Sequence, residues 1–231
     1  MELVVAENIH KTYQAGEVSI NALQGVSFTI ESGAFVSFVG PSGSGKTTLL
    51  NLIGCLDKPS KGKLTVAGAD VSALTRVAGA SFRGAHIGFI FQDFNLIPVL
   101  TAYENIEYPL LMVQNVPARV RAERVMSLLD SVGMAEQRDK YPDQLSGGQK
   151  QRVAVARALV TNPKLVLADE PTANLDHQTA FMVIDLMKKM RDECNTTFIF
   201  STHDQKIVGQ AETVYTLEDG LLTGSRLSGG E

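Results

Sequence analysis

The stretch from Gly40 to Thr47 reads Gly-Pro-Ser-Gly-Ser-Gly-Lys-Thr, and it constrains the fold of this chain more than any other feature. It fits the phosphate-binding pattern G-x-x-x-x-G-K-[ST], in which backbone N–H groups of a glycine-rich turn and of the next helix surround an anion. The apolar run 34–39 before it predicts a buried strand, and the apolar-faced run 48–53 after it predicts a helix. Strand, loop and helix in this order predict a phosphate-loop α/β protein.

The residue types in this loop suit a nucleotide and Mg²⁺. Lys46 can place its charge between the β- and γ-phosphates, and the Thr47 hydroxyl can ligate the metal. A Gly/Ser surface turn that happens to contain lysine is the alternative, and the flanking strand and helix argue against it. The predicted nucleotide-binding residues here are Gly40, Pro41, Ser42, Gly43, Ser44, Gly45, Lys46, Thr47 and Thr48.

Length and composition limit the class of protein. A chain of 231 residues with 44% hydrophobic residues suits one large α/β domain with a smaller lobe. No apolar run approaches the length of a membrane span, and the first residues lack the pattern of a secretory signal. The net charge of −4 argues against a dedicated nucleic-acid binder. Cys55 and Cys194 lack metal-ligand spacing and are expected to be buried small hydrophobic residues in a reducing compartment.

Apolar patterning divides the rest of the chain into strands and helices. The predicted strands are 3–5, 20–23, 26–30, 34–39, 63–66, 87–91, 164–169 and 197–201, of which the last two read as parallel strands buried on both faces. Between about 95 and 145 the pattern becomes helical, with one helix opened by Pro117 and ended by Gly133. Its expected buried face is Val120, Met126, Leu128, Leu129 and Val132, and its expected solvated charges are Arg119, Arg121, Glu123 and Arg124.

Two acids, Asp169 and Glu170, end the apolar strand at 165–168. Downstream of a phosphate loop, the first acid is expected to orient Mg²⁺ and the second to polarise an attacking water. Asp169 is therefore a predicted metal residue and Glu170 a predicted catalytic residue.

The stretch Leu145-Ser146-Gly147-Gly148-Gln149 precedes another helix. Ser146 is expected to cap that helix, and Gln149, three residues on, to complete a capping box. The two glycines let another group approach the helix N-terminus, which predicts a second anion site at Ser146, Gly147, Gly148 and Gln149. Two separated phosphate-binding helix ends in one chain predict a head-to-tail dimer in which each site is built from both protomers.

With these motifs in this order, the chain resembles the ATPase subunits of ATP-binding-cassette transporters along nearly its whole length. The resemblance implies ATP as the nucleotide and a RecA-like phosphate-loop α/β core with an antiparallel β subdomain and an inserted helical subdomain. It implies one nucleotide-binding domain over 1–231. The core and β subdomain are expected at about 1–92 and 158–222, the helical subdomain at about 93–157 and a flexible tail at 223–231. The second Leu-Ser-Gly-Gly, at 227–230, is assigned to that tail.

The same resemblance assigns roles to single residues. The stretch Leu145–Gln149 matches the family's signature motif, which contacts the ATP of the partner subunit. Gln92 matches the glutamine that contacts Mg²⁺ and water, so it is a predicted catalytic and metal residue. Asp176 lies in the loop that contacts the dimer partner and is a predicted nucleotide-binding residue. His203 matches the switch histidine that contacts the γ-phosphate, so it is a predicted catalytic residue. Tyr13 matches the aromatic residue that stacks on adenine, whereas from the sequence alone a tyrosine packed against a turn is equally expected.

Within the family, the stretches 49–57, 87–98 and 101–106 resemble the lipoprotein-releasing, macrolide-exporter and cell-division ATPases. This implies a homodimer on the cytoplasmic face of the membrane, bound to a separate integral membrane permease subunit and to no nucleic acid. The segment 94–100, with Tyr103 and Glu104, is expected to receive a short helix of that subunit. The alternatives are a solute-import ATPase subunit, a soluble ABC ATPase and a regulatory ATP binder.

Overall fold

The computed structural model describes residues 1–16 and 18–227. They form two compact units: unit 1 is Met1–Arg83 with the chain from Ile199 onward, and unit 2 is Gly84–Phe198. In chain order the elements are β1 (Glu2–Ala15), β2 (Val18–Glu31), β3 (Phe35–Val39), α1 (Lys46–Ile53), β4 (Lys61–Val66), β5 (Ala69–Asp70), α2 (Arg76–His86), β6 (Ile87–Ile90), α3 (Ala102–Met112), α4 (Ala118–Ser131), α5 (Gly147–Leu159), β7 (Leu165–Asp169), α6 (His177–Cys194), β8 (Thr197–Thr202), α7 (Gln205–Val208), β9 (Thr213–Glu218) and β10 (Leu221–Leu227).

Unit 1 contains an antiparallel sheet with the strand order β2-β1-β4-β5. The predicted segments 20–23 and 26–30 lie on one long strand, β2, whose pairing with β1 shifts register. Along β2 the buried side chains Val26, Phe28 and Ile30 alternate with exposed ones, because successive side chains of a strand point to opposite faces. This alternation buries one face of the sheet.

The strand that leads into the phosphate loop, β3, lies in unit 1, and all five of its residues are buried. It pairs in parallel with β9, which pairs antiparallel with β10. The ring of Phe38 lies 5.2 Å from the rings of both Phe28 and Tyr215, between centroids. Aromatic burial of this kind stabilises the strand from which the loop departs.

Unit 2 contains the parallel pair β6 and β7, in register from Ile87 opposite Leu165 to Ile90 opposite Ala168. Helix α5 packs closely on β6, since a Cβ on Gly88 would lie 2.2 Å from the carbonyl oxygen of Ala158. The apolar run 165–168 is fully buried, as expected for a strand covered on both faces.

Helix α4 begins after Pro117 and ends before Gly133, as predicted. Its buried face is Val125, Leu128 and Leu129, whereas Val120 is 41% exposed, so the assignment of Val120 to this face was wrong. The residues at 125, 128, 129 and 132 follow helical spacing, and position 120 lies well round the helix from them. Of the expected solvated charges, Arg121 is mostly buried and bonds Glu107 at 2.8 Å.

Two further expectations fail. Cys55 is half-buried and Cys194, at the end of α6, is exposed, so they are not both core residues. The tail expected to be flexible from residue 223 continues strand β10 to Leu227, because backbone pairing with β9 does not depend on side-chain type. Residues 228–231, with most of the second Leu-Ser-Gly-Gly, lie outside the described residues. The subdomain boundaries remain predictions.

No helix in the described ranges is long and apolar enough to span a membrane.

Candidate functional site

The phosphate loop connects β3 to α1 in unit 1. Helix α1 begins at Lys46, and its N-cap residue Gly45 has φ of 104° and provides no side-chain cap. The first N–H groups of a helix have no partner within it, and the helix dipole makes this end positive. The start of α1 is therefore suited to bind an anion.

Two glycines of this loop are required by their surroundings. A Cβ on Gly40 would lie 2.0 Å from the carbonyl oxygen of Leu217, and a Cβ on Gly45 would lie 2.6 Å from that of Ala22. Both residues also have a positive φ that disfavours other side chains. Strands β9 and β2 thus fix the path of the loop.

Lys46 and Ser44 provide the polar groups inside the loop. Lys46 is only 7% exposed, and its Nζ donates to the carbonyl oxygens of Gly40 at 2.7 Å and Pro41 at 2.9 Å. Ser44 is 1% exposed, and its Oγ has no hydrogen-bond partner among the described residues. Since buried hydroxyls are normally bonded, this atom and the buried ammonium fit the oxygens of a phosphate chain.

Tyr13, on β1, is fixed by neighbours in unit 1. Its hydroxyl donates to Oδ2 of Asp57 at 2.9 Å, and Nζ of Lys11 lies 4.7 Å from the ring centroid and 2.7 Å from Oδ1 of Asp57. Burial and the bond to Asp57 raise the pKa of Tyr13, and a hydrogen bond with Thr48 of α1 opposes the rise. Tyr13 is therefore connected to the helix that follows the phosphate loop, while its stacking on adenine stays a prediction.

His203 follows β8 in unit 1 and is exposed. The turn that carries it is fixed by its neighbours. The Thr202 hydroxyl accepts the N–H of Asp204 at 3.1 Å, and Asp204 caps α7 by accepting the N–H of Lys206 at 2.9 Å. The backbone around His203 is thus held in place, and its switch role stays a prediction.

In unit 2, Gln92 and the acid pair lie at one edge of a parallel sheet. Ile90 of β6 is paired with Ala168 of β7, and Gln92 and Glu170 each follow two residues later. Gln92 is exposed, and Asp169 and Glu170 are half-buried. The structure therefore brings together two predicted catalytic residues, Gln92 and Glu170, and the predicted metal residue Asp169.

Glu170 has a backbone conformation that the sequence does not reveal. Its φ is 47°, in the left-handed region, and its carbonyl accepts the N–H of Ala173 at 3.2 Å. Non-glycine residues in this region are uncommon and are concentrated at functional sites. The tight turn directs the chain away from β7 immediately after the acid pair.

The start of α5 has the predicted capping box. The Ser146 hydroxyl accepts the N–H of Gln149 at 3.3 Å, and the Gln149 side chain accepts the N–H of Ser146 at 2.9 Å. The glycines here also serve internal packing. A Cβ on Gly148 would lie 2.4 Å from Cγ2 of Thr179, and one on Gly147 would lie 3.3 Å from Cδ2 of Leu175.

Asp176 is the N-cap of α6. Its carboxylate accepts the N–H of Thr179 at 3.0 Å and the Thr179 hydroxyl at 2.6 Å. The hydroxyl and backbone hydrogen bonds from Thr179 lower the pKa of Asp176. Asp176 thus has a structural role within its own chain, and its predicted contact with the nucleotide or the dimer partner remains a prediction.

A buried lysine in a glycine-rich turn, leading into an uncapped helix of an α/β chain, defines a phosphate-loop nucleotide-binding protein. A family model described as "ABC transporter" matches residues 23–173. The chain belongs to the ABC transporter family, and it is an ATP-binding, ATP-hydrolysing subunit of that family.

Sequence similarity to known proteins extends over nearly the whole chain. An uncharacterized ABC transporter ATP-binding protein of Thermotoga maritima is 45% identical over 97% of this chain and 94% of its own. The lipoprotein-releasing system ATP-binding protein LolD of Pseudoalteromonas translucida is 40% identical over 96% of each chain. The macrolide export ATP-binding/permease protein MacB of Rhodopirellula baltica is 44% identical over 93% of this chain, which spans 31% of that longer protein.

The fold is also that of a solved cassette. The ATP-binding cassette MJ0796 of Methanocaldococcus jannaschii, in a dimeric post-hydrolysis state bound to ADP and Pi, superposes with a TM-score of 0.90. The two chains are 41% identical, and the match covers all of that chain and 99% of this one. The predicted α/β fold with an antiparallel β subdomain and helical elements is thereby confirmed.

Proposed function

We propose that this subunit belongs to the export and lipoprotein-release branch of the family and energises a separate integral membrane subunit from the cytoplasmic face of the membrane. The observation that carries the proposal is the match to LolD over 96% of both chains. The match to MacB covers 31% of a longer protein, so it supports the same branch without indicating a substrate.

We infer that the working form is a homodimer with ATP held between protomers. Unit 1 contains one helix end suited to phosphate, at α1, and unit 2 contains another, at α5. The related cassette MJ0796 is dimeric in its ADP- and Pi-bound structure. A nucleotide that binds the closed dimer more tightly than the single protomer favours dimerisation by linkage.

Magnesium is proposed as the metal. No three His, Cys, Asp or Glu side chains within 1–16 and 18–227 group as a metal site. The predicted ligands Thr47, Gln92 and Asp169 provide a hydroxyl, an amide oxygen and one carboxylate. Mg²⁺ commonly combines such a small set of protein oxygens with nucleotide phosphates and water.

Each residue has one proposed step in hydrolysis. ATP would supply the γ-phosphoryl group, and Mg²⁺ held beside it would neutralise part of the phosphate charge. Lys46 positions the phosphates, and a carboxylate oxygen of Glu170 orients a water molecule and accepts its proton, as the water oxygen bonds to the γ-phosphorus and the bond to the leaving ADP breaks. His203, in unit 1, and Gln92, in unit 2, are proposed to change their contacts when the γ-phosphate is present.

The docking segment for the membrane subunit is proposed at 94–100 in unit 2. Asn105 is buried and organises this loop. Its Oδ1 accepts the N–H of Ile97 at 2.7 Å, and its Nδ2 donates to the carbonyl oxygens of Ile97 at 3.1 Å and Leu100 at 2.9 Å. Leu96, Ile97 and Leu100 are half-buried, whereas Val99 is 78% exposed. The loop therefore presents an apolar side chain outward from a fixed backbone.

Replacing Val99 with Asp tests this docking surface with little disturbance of the fold. We expect ATP hydrolysis by the isolated subunit to be unchanged and co-purification with the membrane subunit from detergent-solubilised membranes to be lost. Val18→Asp, at a 62% exposed valine of β2, is the matched control and should retain the membrane subunit. Retention of an equimolar, ATPase-stimulating membrane protein by Val99→Asp would place the docking site elsewhere.

A further inference from the structure

Arg157 lies in the last turn of α5, next to the buried residues Ala156 and Ala158. Its guanidinium donates to the carbonyl oxygen of Phe94 at 2.8 Å and also to that of Asn95. Burial lowers the pKa of Arg157 to about 10, so the group stays charged at neutral pH. One cation therefore holds two successive carbonyl groups of the segment that follows Gln92.

The backbone that Arg157 holds has an unusual conformation. Phe94 has φ of 62° and Asn95 has φ of 48°, so two adjacent non-glycine residues are left-handed. The N–H of Phe94 donates to the carbonyl of Phe91 at 3.1 Å, and that of Asn95 donates to the carbonyl of Asp93 at 2.6 Å. Such conformations persist where surrounding contacts hold them, and the guanidinium of Arg157 is such a contact.

The same segment is held from a second direction within unit 2. Nδ2 of Asn174 donates to the carbonyl oxygen of Gln92 at 3.1 Å and to Oδ1 of Asp93 at 2.9 Å. The Phe94 ring also approaches the start of α5, since a Cβ on Gly147 would lie 3.9 Å from its Cζ. The backbone of Gln92 is thus connected both to α5 and to the turn that follows Glu170.

We propose that Arg157 is a positioning residue that fixes the Gln92–Asn95 segment to helix α5, so that Gln92 and the Ser146–Gln149 helix end move together. The proposal rests on the proposed role of Gln92 in hydrolysis. A flexible backbone at 92–95 would let the amide leave its working position, and small misplacements of a positioning group slow a reaction strongly. The sequence contains one indication that Arg157 has a specific role, because Arg157 is the only charged residue in the apolar run 153–160.

A double-mutant cycle on the full chain tests the proposal through ATP hydrolysis. Arg157→Gln should lower kcat by about 10- to 100-fold, with KM for ATP changed by less than about twofold. In a Gln92→Ala background, the same Arg157 change should have almost no further effect. Arg152→Gln is the matched control, since Arg152 lies on the same helix and donates to the carbonyl of Val132 at 3.5 Å. It should hydrolyse ATP at the parental kcat.

The proposal would be overturned by parental kcat in Arg157→Gln, or by an equal loss in the parental and Gln92→Ala backgrounds. If Arg157→Gln fails to fold, Arg157→Lys enters the same cycle, because it keeps the charge but not the two-pronged geometry. Parental turnover by Gln92→Ala alone would contradict the role of Gln92 itself, and the Arg157 proposal with it. A slow Gln92→Ala variant with an additive Arg157 effect would contradict only the Arg157 proposal.

Discussion

The N-termini of α1 and α5 are both preceded or opened by glycines, yet they are built differently. Helix α1 has no side-chain cap. The buried ammonium of Lys46 lies beside its start, as does the Ser44 hydroxyl, which has no hydrogen-bond partner within 1–16 and 18–227. Helix α5 is closed by the capping box of Ser146 and Gln149. The first end is proposed to bind phosphate of a nucleotide held by its own chain. At the second end, the N–H of Gln149 already donates to the Ser146 hydroxyl. The Ser146 hydroxyl hydrogen and the other N–H groups of the first turn remain as donors for an anion.

The largest expected effect comes from stopping hydrolysis while leaving both helix ends intact. Glu170→Gln should lower ATP turnover by about 10²- to 10⁴-fold, because the amide keeps the shape of the side chain but cannot accept a proton. ATP binding should be retained. With ATP the variant should sediment as a dimer in analytical ultracentrifugation, and without nucleotide largely as a monomer.

Turnover near the parental rate would show that Glu170 has been given the wrong role. A variant that stays monomeric at saturating ATP would instead count against the composite site, and would leave α5 without a nucleotide ligand.

A smaller effect is expected from variants that distinguish the functions of the two helix ends. Lys46→Ala should weaken ATP binding by the protomer about 10- to 100-fold, since it removes a charge-assisted contact. Ser146→Arg should leave protomer binding intact and prevent turnover, because it places a bulky cation at the positive end of α5. Nucleotide titration and ATPase assays distinguish the two outcomes.

Mixing the two variants provides the control for this experiment. A heterodimer of Lys46→Ala and Ser146→Arg protomers has one intact composite site, so the mixture should recover part of the activity that each lacks alone. Loss of protomer binding by Ser146→Arg would show that both helix ends serve the same nucleotide within one chain.

The smallest expected effect concerns the cap itself. Ser146→Ala should lower the free energy of unfolding by about 1 kcal/mol, which corresponds to roughly 2–4 °C in Tm for a chain of this size. Thr101→Ala is the matched control, because Thr101 and Glu104 form the same capping box at α3. The two variants should lose similar stability in thermal unfolding, and only Ser146→Ala should also lose activity. Equal ATPase rates would assign Ser146 to capping alone.

The sequence predicts the elements around the phosphate loop and the α5 cap because these depend on local chemistry. Glycines, a cap residue and a lysine act within a few residues of where they stand. The buried face of α4 was predicted less well. The predicted face included Val120 and omitted Val125, although helical spacing groups Val125 with Leu128 and Leu129, which are the buried residues, and leaves Val120 well round the helix.

The features of the fold and the site that the sequence did not predict depend on contacts between distant parts of the chain. The clash that a side chain on Gly40 would make with Leu217, and the bonds from Arg157 to Phe94 and Asn95, join residues far apart in the sequence. The pairing that extends β10 to Leu227 is made by backbone groups, which every residue type except proline provides. No local pattern specifies such contacts.

The left-handed backbone of Glu170 places stability and activity in opposition at one residue. Glycine adopts this conformation without a steric penalty, so it would relieve strain there while removing the proposed base. Selection for thermal tolerance alone would therefore favour a cassette that folds better and no longer turns over. Persistence of a carboxylate at this position under such selection would be a sign that the organism depends on hydrolysis.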